Sequence, residues 1–106
     1  MSTHTDRELL EAAAKAAGVK LHSWGAADNE VFADLNTKRG DRWNPLTDDG
    51  DALRLAVKLS LPIVFGSNYV IVDGNQSPTV NNANDPCLAT RRAIVLAAAE
   101  IGKEMP

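Results

Sequence analysis

The residues whose types could carry chemistry gather in one stretch of the 106-residue chain, 41-DRWNPLTDDGD-51, where four aspartates fall within eleven positions. Carboxylates at this density occur in metal sites, in acid–base pairs and at helix starts. Asp48, Asp49 and Asp51 are too close in sequence to converge from one helix face, and no histidine lies nearby. The free N–H groups and the dipole of a helix N-terminus favour acidic residues. The cluster therefore predicts helix capping rather than a metal or catalytic site.

Trp43 and Asn44 are not required for capping, so they need a separate interpretation. In one interpretation Trp43 anchors the loop onto the core, which the high average burial of tryptophan favours. In the other, Trp43 is a stacking surface or an interface anchor. Together with the neighbouring Arg42, Trp43 and Asn44 form the first predicted contact surface.

The main basic groups form a second candidate surface. Arg91 and Arg92 lie side by side in the last predicted helix, while Lys38, Arg39 and Arg42 fall in a central loop. If they meet in space they make a patch for an anionic small molecule. The alternative is a solvated helix face with carboxylate neighbours, which is the more common arrangement.

Residues 73–84 form a polar segment that nearly matches a calcium-binding loop. Asp73, Asn75 and Ser77 occupy the first, third and fifth loop positions, but Pro78 stands where the sharp turn requires glycine. The segment predicts a turn-rich loop that binds no metal. Asp73 and Asn75 are included among the predicted contact residues because polar loops often carry contacts.

No recognisable catalytic arrangement is present. Cys87 is the only cysteine, and its place in the first turn of a helix predicts a small, partly buried side chain. His22 lies in a predicted strand without a partner pattern, which favours a structural role. The sequence lacks a glycine-rich phosphate loop, a G-x-S-x-G elbow and an H-E-x-x-H motif. We therefore predict neither enzymatic activity nor a cofactor.

The elements that position these residues follow from hydrophobic periodicity and from capping signals. The predicted order is α-β-β-α-β-β-α, with helices at 5–17, 47–59 and 86–103 and strands at 19–24, 30–35, 62–65 and 69–72. Leu53, Ala56 and Val57 are expected to line the buried side of the second helix. Two hairpins and three helices predict an α+β fold in which the helices pack on an antiparallel sheet.

Size and composition limit the class of protein. The length fits a single domain over residues 1–106. A net charge of −3 and a pI near 5.2 disfavour nucleic-acid binding, which needs a basic face. The lone thiol, the absence of a signal-peptide core and the absence of a run of about 20 apolar residues predict a cytosolic protein without a membrane span.

Three segments carry a resemblance to known proteins: 6-DRELLEAAAKAAG-18, 43-WNPLTDDGDALRLAVKL-59 and 85-DPCLATRRAIVLAAAEIGK-103. They resemble small proteins encoded by tailed phages and prophages of Gram-negative bacteria, and W-N-P before a helix is similar to the NinX-like phage proteins. The resemblance covers about half of the chain. It implies a phage accessory protein acting in the cytoplasm of the bacterial host, and it implies no catalytic residues.

The expected function is therefore non-enzymatic binding, with a host protein or a host defence component as the partner and homo-oligomerisation as a secondary hypothesis. The first alternative is a small-molecule or nucleotide binder, in which Trp43 or Trp24 stacks on a base and Arg91 or Arg92 holds phosphate. An enzyme that unites His22, Cys87 and an acid in one cleft is a further alternative. DNA binding through the last helix is disfavoured by the net acidity.

Overall fold

In a computed structural model of the chain, residues 6–24, 31–34, 41–78 and 85–105 are described. They contain three helices and six strands in the order α1 (Asp6–Ala17), β1 (Lys20–Trp24), β2 (Val31–Asp34), β3 (Asp41–Arg42), α2 (Asp49–Lys58), β4 (Ile63–Phe65), β5 (Tyr69–Val72), β6 (Asn75–Pro78) and α3 (Pro86–Glu104). The strands form two three-stranded antiparallel sheets, ordered β1-β2-β3 and β4-β5-β6.

Helix α1 ends as its sequence predicts. Gly18 has a φ of 72°, the left-handed conformation that glycine adopts without a Cβ penalty. The N–H of Val19 donates to the carbonyl of Ala14 at 2.9 Å, and the N–H of Gly18 donates to that of Lys15 at 3.3 Å. This pair of bonds is a Schellman motif, which satisfies carbonyls that the end of the helix would leave free.

The first sheet contains a strand that the sequence did not reveal. β2 pairs with β1 on one side and with β3 on the other, where Phe32 lies opposite Arg42. Residues 36–42 were expected to be a loop, and this is wrong for Asp41–Arg42, while 36–40 lie outside the described residues. Two charged residues carry no apolar alternation, so only their pairing with β2 defines them as a strand.

The second sheet contains the predicted hairpin and one further strand. β4 and β5 pair around the turn at 66–68, with Ile63 opposite Val72. The polar segment from residue 73 is not a loop throughout, since β6 continues the sheet. Asp73 and Gly74 have φ values of 53° and 84°, and two positive φ angles are what a two-residue type I′ hairpin turn requires. Residues 79–84 lie outside the described part of the chain.

Helix α2 begins as predicted but buries a different face. Asp48 is the N-cap, and its carboxylate accepts from the N–H of Asp51 at 2.8 Å. Leu53 and Val57 are exposed, which corrects the expected core face. The residues of α2 that are buried are Asp51, Ala52, Leu55 and Ala56. The predicted and the observed apolar stripes have the same helical spacing, so periodicity alone does not choose between them.

Helix α3 begins at the predicted residue and ends one residue beyond the predicted bound. Asp85 accepts from the N–H of Leu88 at 3.1 Å, and Pro86 fills the first helical position. The helix continues through Gly102 to Glu104. A Cβ on Gly102 would lie 1.9 Å from the carbonyl oxygen of Ala12, so this glycine permits close contact between α3 and α1 rather than ending the helix.

The core forms where the three helices meet the second sheet and the W-N-P loop. Val70, Val72 and Val95 are among its fully buried side chains, and seven alanines of α1 and α3 let the helices approach closely. The mixed helix and strand class is confirmed. The predicted order and the pair of hairpins are confirmed only in part, because each hairpin carries a third strand and the strands make two sheets.

Candidate functional site

The W-N-P loop is held by hydrogen bonds to the start of α2. The backbone N–H of Asn44 donates to the carboxylate of Asp51 at 2.9 Å, while the side-chain oxygen of Asn44 accepts from the N–H of Leu46 at 3.0 Å. The carbonyl of Asn44 also accepts from Thr47 and Asp48. Asn44 therefore shapes the loop that precedes the helix, and its predicted contact role is untested.

Trp43 lies in the core. Its exposed fraction is 4%, equal to that of Leu46, and Pro45 between them is fully buried. The interpretation of Trp43 as a loop anchor fits this position. The ring has no exposed face on which a base or a partner could stack, so the structure does not place Trp43 at a binding surface.

The carboxylate of Asp51 is buried, and both of its oxygens accept hydrogen bonds. It accepts from Asn44 and also from the guanidinium of Arg54 at 2.7 Å. The hydrogen bond to Asp51 raises the pKa of Arg54 above its ordinary value. The acidic stretch is thus more than a set of caps: Asp48 caps α2, Asp49 pairs with Arg91, and Asp51 fixes the loop.

Arg91 and Arg92 point to different neighbours and do not form one patch. The Nε of Arg91 donates to the carbonyl of Leu46 at 2.9 Å, and its terminal nitrogen contacts Asp49 at 2.6 Å. The side chain of Arg91 is 16% exposed, whereas that of Arg92 is 47% exposed and lies 3.4 Å from Asp6. Only the backbone of Arg42 is described, and residues 38 and 39 lie outside the described ranges.

The two residues predicted as contacts in the polar segment lie on the second sheet. Asp73 is in the turn between β5 and β6, and Asn75 is the first residue of β6. Both are exposed. They lie outside the lining of the groove described next, and nothing in their positions joins them to Asn44 or Arg91.

The concave feature that sequence analysis missed is an apolar groove of about 470 Å³. Its walls come from the first half of α2, the β4–β5 hairpin and the first half of α3. Leu53 and Phe65 line it while being 60% and 68% exposed. The other lining residues are Asp49, Ala52, Ile63, Gly66, Ser67, Tyr69, Pro86, Cys87, Thr90, Arg91 and Ile94.

The positions of groove residues follow from local structure. The ring of Tyr69 lies over Gly66, where a Cβ would meet ring atoms at 2.2 Å, so glycine lets the hairpin turn close against the ring. The Asp49–Arg91 pair joins the starts of α2 and α3 beside the groove. Cys87 is exposed, which corrects the expectation of a partly buried thiol. As the second residue of α3 it precedes the buried stretch of that helix.

A sequence signal for part of this groove existed. Leu53 is an apolar residue that the periodicity assigned to the core, and periodicity alone cannot separate an exposed apolar residue from a buried one. The alternative stripe through Ala52, Leu55 and Ala56 would have left Leu53 facing outward. No local pattern in the sequence indicates that α2, β4 and α3 pack around a common groove.

Comparison with known proteins gives no assignment: no family model, curated protein or solved structure matches the chain. The resemblance to phage proteins therefore stays a prediction. Within the described ranges, no three histidine, cysteine, aspartate or glutamate side chains are grouped so as to hold a metal ion. None of the helices in the described residues has both the length and the apolar character that crossing a membrane requires.

Proposed function

We propose that the protein acts by binding a partner at the apolar groove, without catalysis, as a phage accessory protein directed at a component of its bacterial host. The observation that carries the proposal is the exposure of Leu53 and Phe65 in one concavity. Leaving such a side chain in water rather than burying it forgoes about 1.5–3 kcal/mol. Contiguous apolar surface of this kind is typical of interaction sites.

The predicted contact residues support this proposal only indirectly. Trp43 is buried, and Arg91 is engaged by Asp49 and by the carbonyl of Leu46. These groups hold the starts of α2 and α3 in place, and those two helix starts form two walls of the groove. We therefore place the contact surface at the groove, with the W-N-P loop as its support.

A second candidate, binding of a small molecule, is favoured by the size of the groove. About 470 Å³ lies within the range of ligand pockets, roughly 300–1,000 Å³. The lining is mainly apolar, and no described tryptophan ring or unpaired arginine contributes to it. An apolar ligand fits this lining better than the nucleotide that stacking on Trp43 would have required.

The test compares tagged wild type with Leu53→Glu, Phe65→Glu and the matched control Leu96→Glu. Leu96 is an exposed leucine of α3 that does not line the groove. All three positions are exposed, so we expect thermal unfolding to be nearly unchanged. A partner retained from bacterial lysate by wild type and by Leu96→Glu, but lost with both groove variants, supports the proposal.

Two other outcomes count against it. A partner that both groove variants retain places the contact surface elsewhere. An apolar compound that the purified wild type releases on denaturation, and that Phe65→Glu lacks, shows by mass spectrometry that the small-molecule candidate is correct.

A further inference from the structure

Strand β4 has an open edge. β5 is flanked by β4 and β6, whereas β4 has only one neighbouring strand within the described ranges. The N–H of Asp73 donates to the carbonyl of Pro62, and that of Gly66 donates to the carbonyl of Tyr69. Bonded and non-bonded pairs alternate along antiparallel strands. The backbone of Val64 therefore faces β5, and the N–H and C=O groups of the two flanking residues face the open edge.

Those two flanking residues also line the groove. Ile63 and Phe65 contribute to its wall, while Val64, on the opposite face of the strand, does not. Side chains alternate between the faces of a sheet. A strand added beside β4 would therefore direct every second side chain into the groove, next to Ile63 and Phe65.

The exposed apolar area is too small for a stable dimer of this chain. Among the residues that line the groove, Leu53 and Phe65 are more than half exposed. Complete burial of such a side chain removes on the order of 100 Å², so the two offer roughly 100–200 Å². A stable interface buries about 800 Å² on each partner. The patch therefore suits a short segment better than a second copy.

Backbone groups decide between an extended and a helical segment. A helix has already satisfied its own N–H and C=O groups, and so it gains nothing from the edge of β4. An extended chain can pair with the backbone of Ile63 and Phe65 and at the same time place its side chains in the groove.

From this geometry we infer that the groove and β4 together bind an extended apolar segment of a partner protein, which adds to the sheet as a fourth strand. The inference rests on the proposed function and specifies its partner. The segment carries apolar side chains at alternate positions, and those positions exclude charge because they enter the space between α2 and α3. Main-chain hydrogen bonds provide affinity and the alternate side chains provide selectivity.

The direct test uses the peptide TVTLTVT-amide with fluorescein attached at its N-terminus, and its binding to the full chain is measured by anisotropy. Two N-methylated derivatives carry methyl groups on all the valine and leucine amides or on all the threonine amides. The N–H groups of consecutive residues point to opposite edges of a strand. We expect one derivative to bind at least about tenfold more weakly and the other to bind like the parent, which also gives the direction of the added strand.

Cys87 provides an independent report on occupancy, because it lines the groove and is the only cysteine. The rate of its reaction with Ellman's reagent should fall at saturating peptide. A peptide with glutamate in place of leucine should give no protection. Phe65→Glu should weaken peptide binding roughly tenfold, and Leu96→Glu should leave it unchanged.

Each remaining outcome overturns the inference. Equal binding of both methylated derivatives shows that backbone pairing is not used. A dimer of the chain alone, seen by sedimentation and dissociated by Phe65→Glu, shows that the occupant is a second copy. If the peptides fail to bind while Leu53→Glu still abolishes capture of a partner from lysate, the inference of an extended segment is wrong but the proposed function stands.

Discussion

The carboxylate of Asp51 accepts a hydrogen bond from the backbone N–H of Asn44 at 2.9 Å, and this contact joins the first turn of α2 to the W-N-P loop. Both groups are partly buried. An N–H that is removed from water must find an acceptor, or its desolvation is uncompensated. The contribution of Asp51 to stability therefore comes from the hydrogen bonds of its side chain rather than from the general preference of aspartate for helix starts.

Replacing Asp51 should therefore cost more than replacing Arg54, although the two side chains form an ion pair at 2.7 Å. Asp51→Ala removes the acceptor of the hydrogen bond from the Asn44 N–H, and we expect the free energy of unfolding to fall by about 1–3 kcal/mol. Arg54→Ala should cost less than about 1 kcal/mol, because the guanidinium is 72% exposed. Urea denaturation followed by tryptophan fluorescence measures both. Equal losses would mean that the ion pair, not the contact with Asn44, stabilises the loop.

Arg91 and Arg92 offer a second pair of neighbours with different expected effects. Arg91→Ala removes the donor to the Leu46 carbonyl and the partner of Asp49, so we expect a loss of about 1–3 kcal/mol. Arg92→Ala removes an exposed contact at 3.4 Å and should cost less than about 1 kcal/mol. Thermal unfolding of the two single variants is the measurement. If Arg92→Ala proves the more damaging, the structural role assigned to Arg91 is wrong.

Arg91→Lys sharpens the same test. Lysine keeps the charge but lacks the planar fork that reaches two acceptors at once. We expect it to recover only part of the stability lost in Arg91→Ala. Complete recovery would show that charge near Asp49 matters and that the hydrogen bond to Leu46 does not.

Local signals predicted the helix starts well because caps are short-range chemistry. Asp48 and Asp85 each precede the helix they cap, and Gly18 ends α1 at a positive φ. Strand β6 was also predictable in principle, since Asp73-Gly74 between two short polar or apolar runs is a strong signal for a tight hairpin turn. That signal was read as a loop because the residues after it are polar.

The groove and the buried face of α2 were not predictable in this way. Leu53 has the spacing of a core residue, and only the packing of α2 against α3 decides that Ala52 and Leu55 are inside instead. The role of Gly102 likewise depends on Ala12, which lies 90 positions earlier in the chain. Both features depend on tertiary contacts, which no local hydrophobic periodicity or capping signal in the sequence predicts.

Gly102 gives the third prediction. In most helix interiors Gly→Ala stabilises by about 0.5–1 kcal/mol. Here the added Cβ would collide with the backbone of Ala12, so we expect Gly102→Ala to destabilise by about 1–3 kcal/mol. Gly50→Ala is the control, because the atoms nearest to its added Cβ are side-chain atoms of Arg54 and Asp48 at 3.2–3.3 Å rather than backbone. Chemical denaturation that finds Gly102→Ala as stable as Gly50→Ala would contradict the close packing of α1 and α3.

Ser60 gives the last prediction, and the change should stabilise. It follows α2 with a φ of 53°, and the N–H of Leu61 donates to the carbonyl of Ala56 at 2.9 Å, as in the Schellman motif at Gly18. A residue with a Cβ is destabilised by about 1–2 kcal/mol in this conformation. Glycine avoids this penalty, but its greater conformational freedom in the unfolded chain offsets part of the gain. We expect Ser60→Gly to raise the free energy of unfolding by about 0.5–1 kcal/mol. Ser60→Ala keeps the Cβ and should give no gain, so an equal gain from alanine in urea denaturation would exclude this explanation.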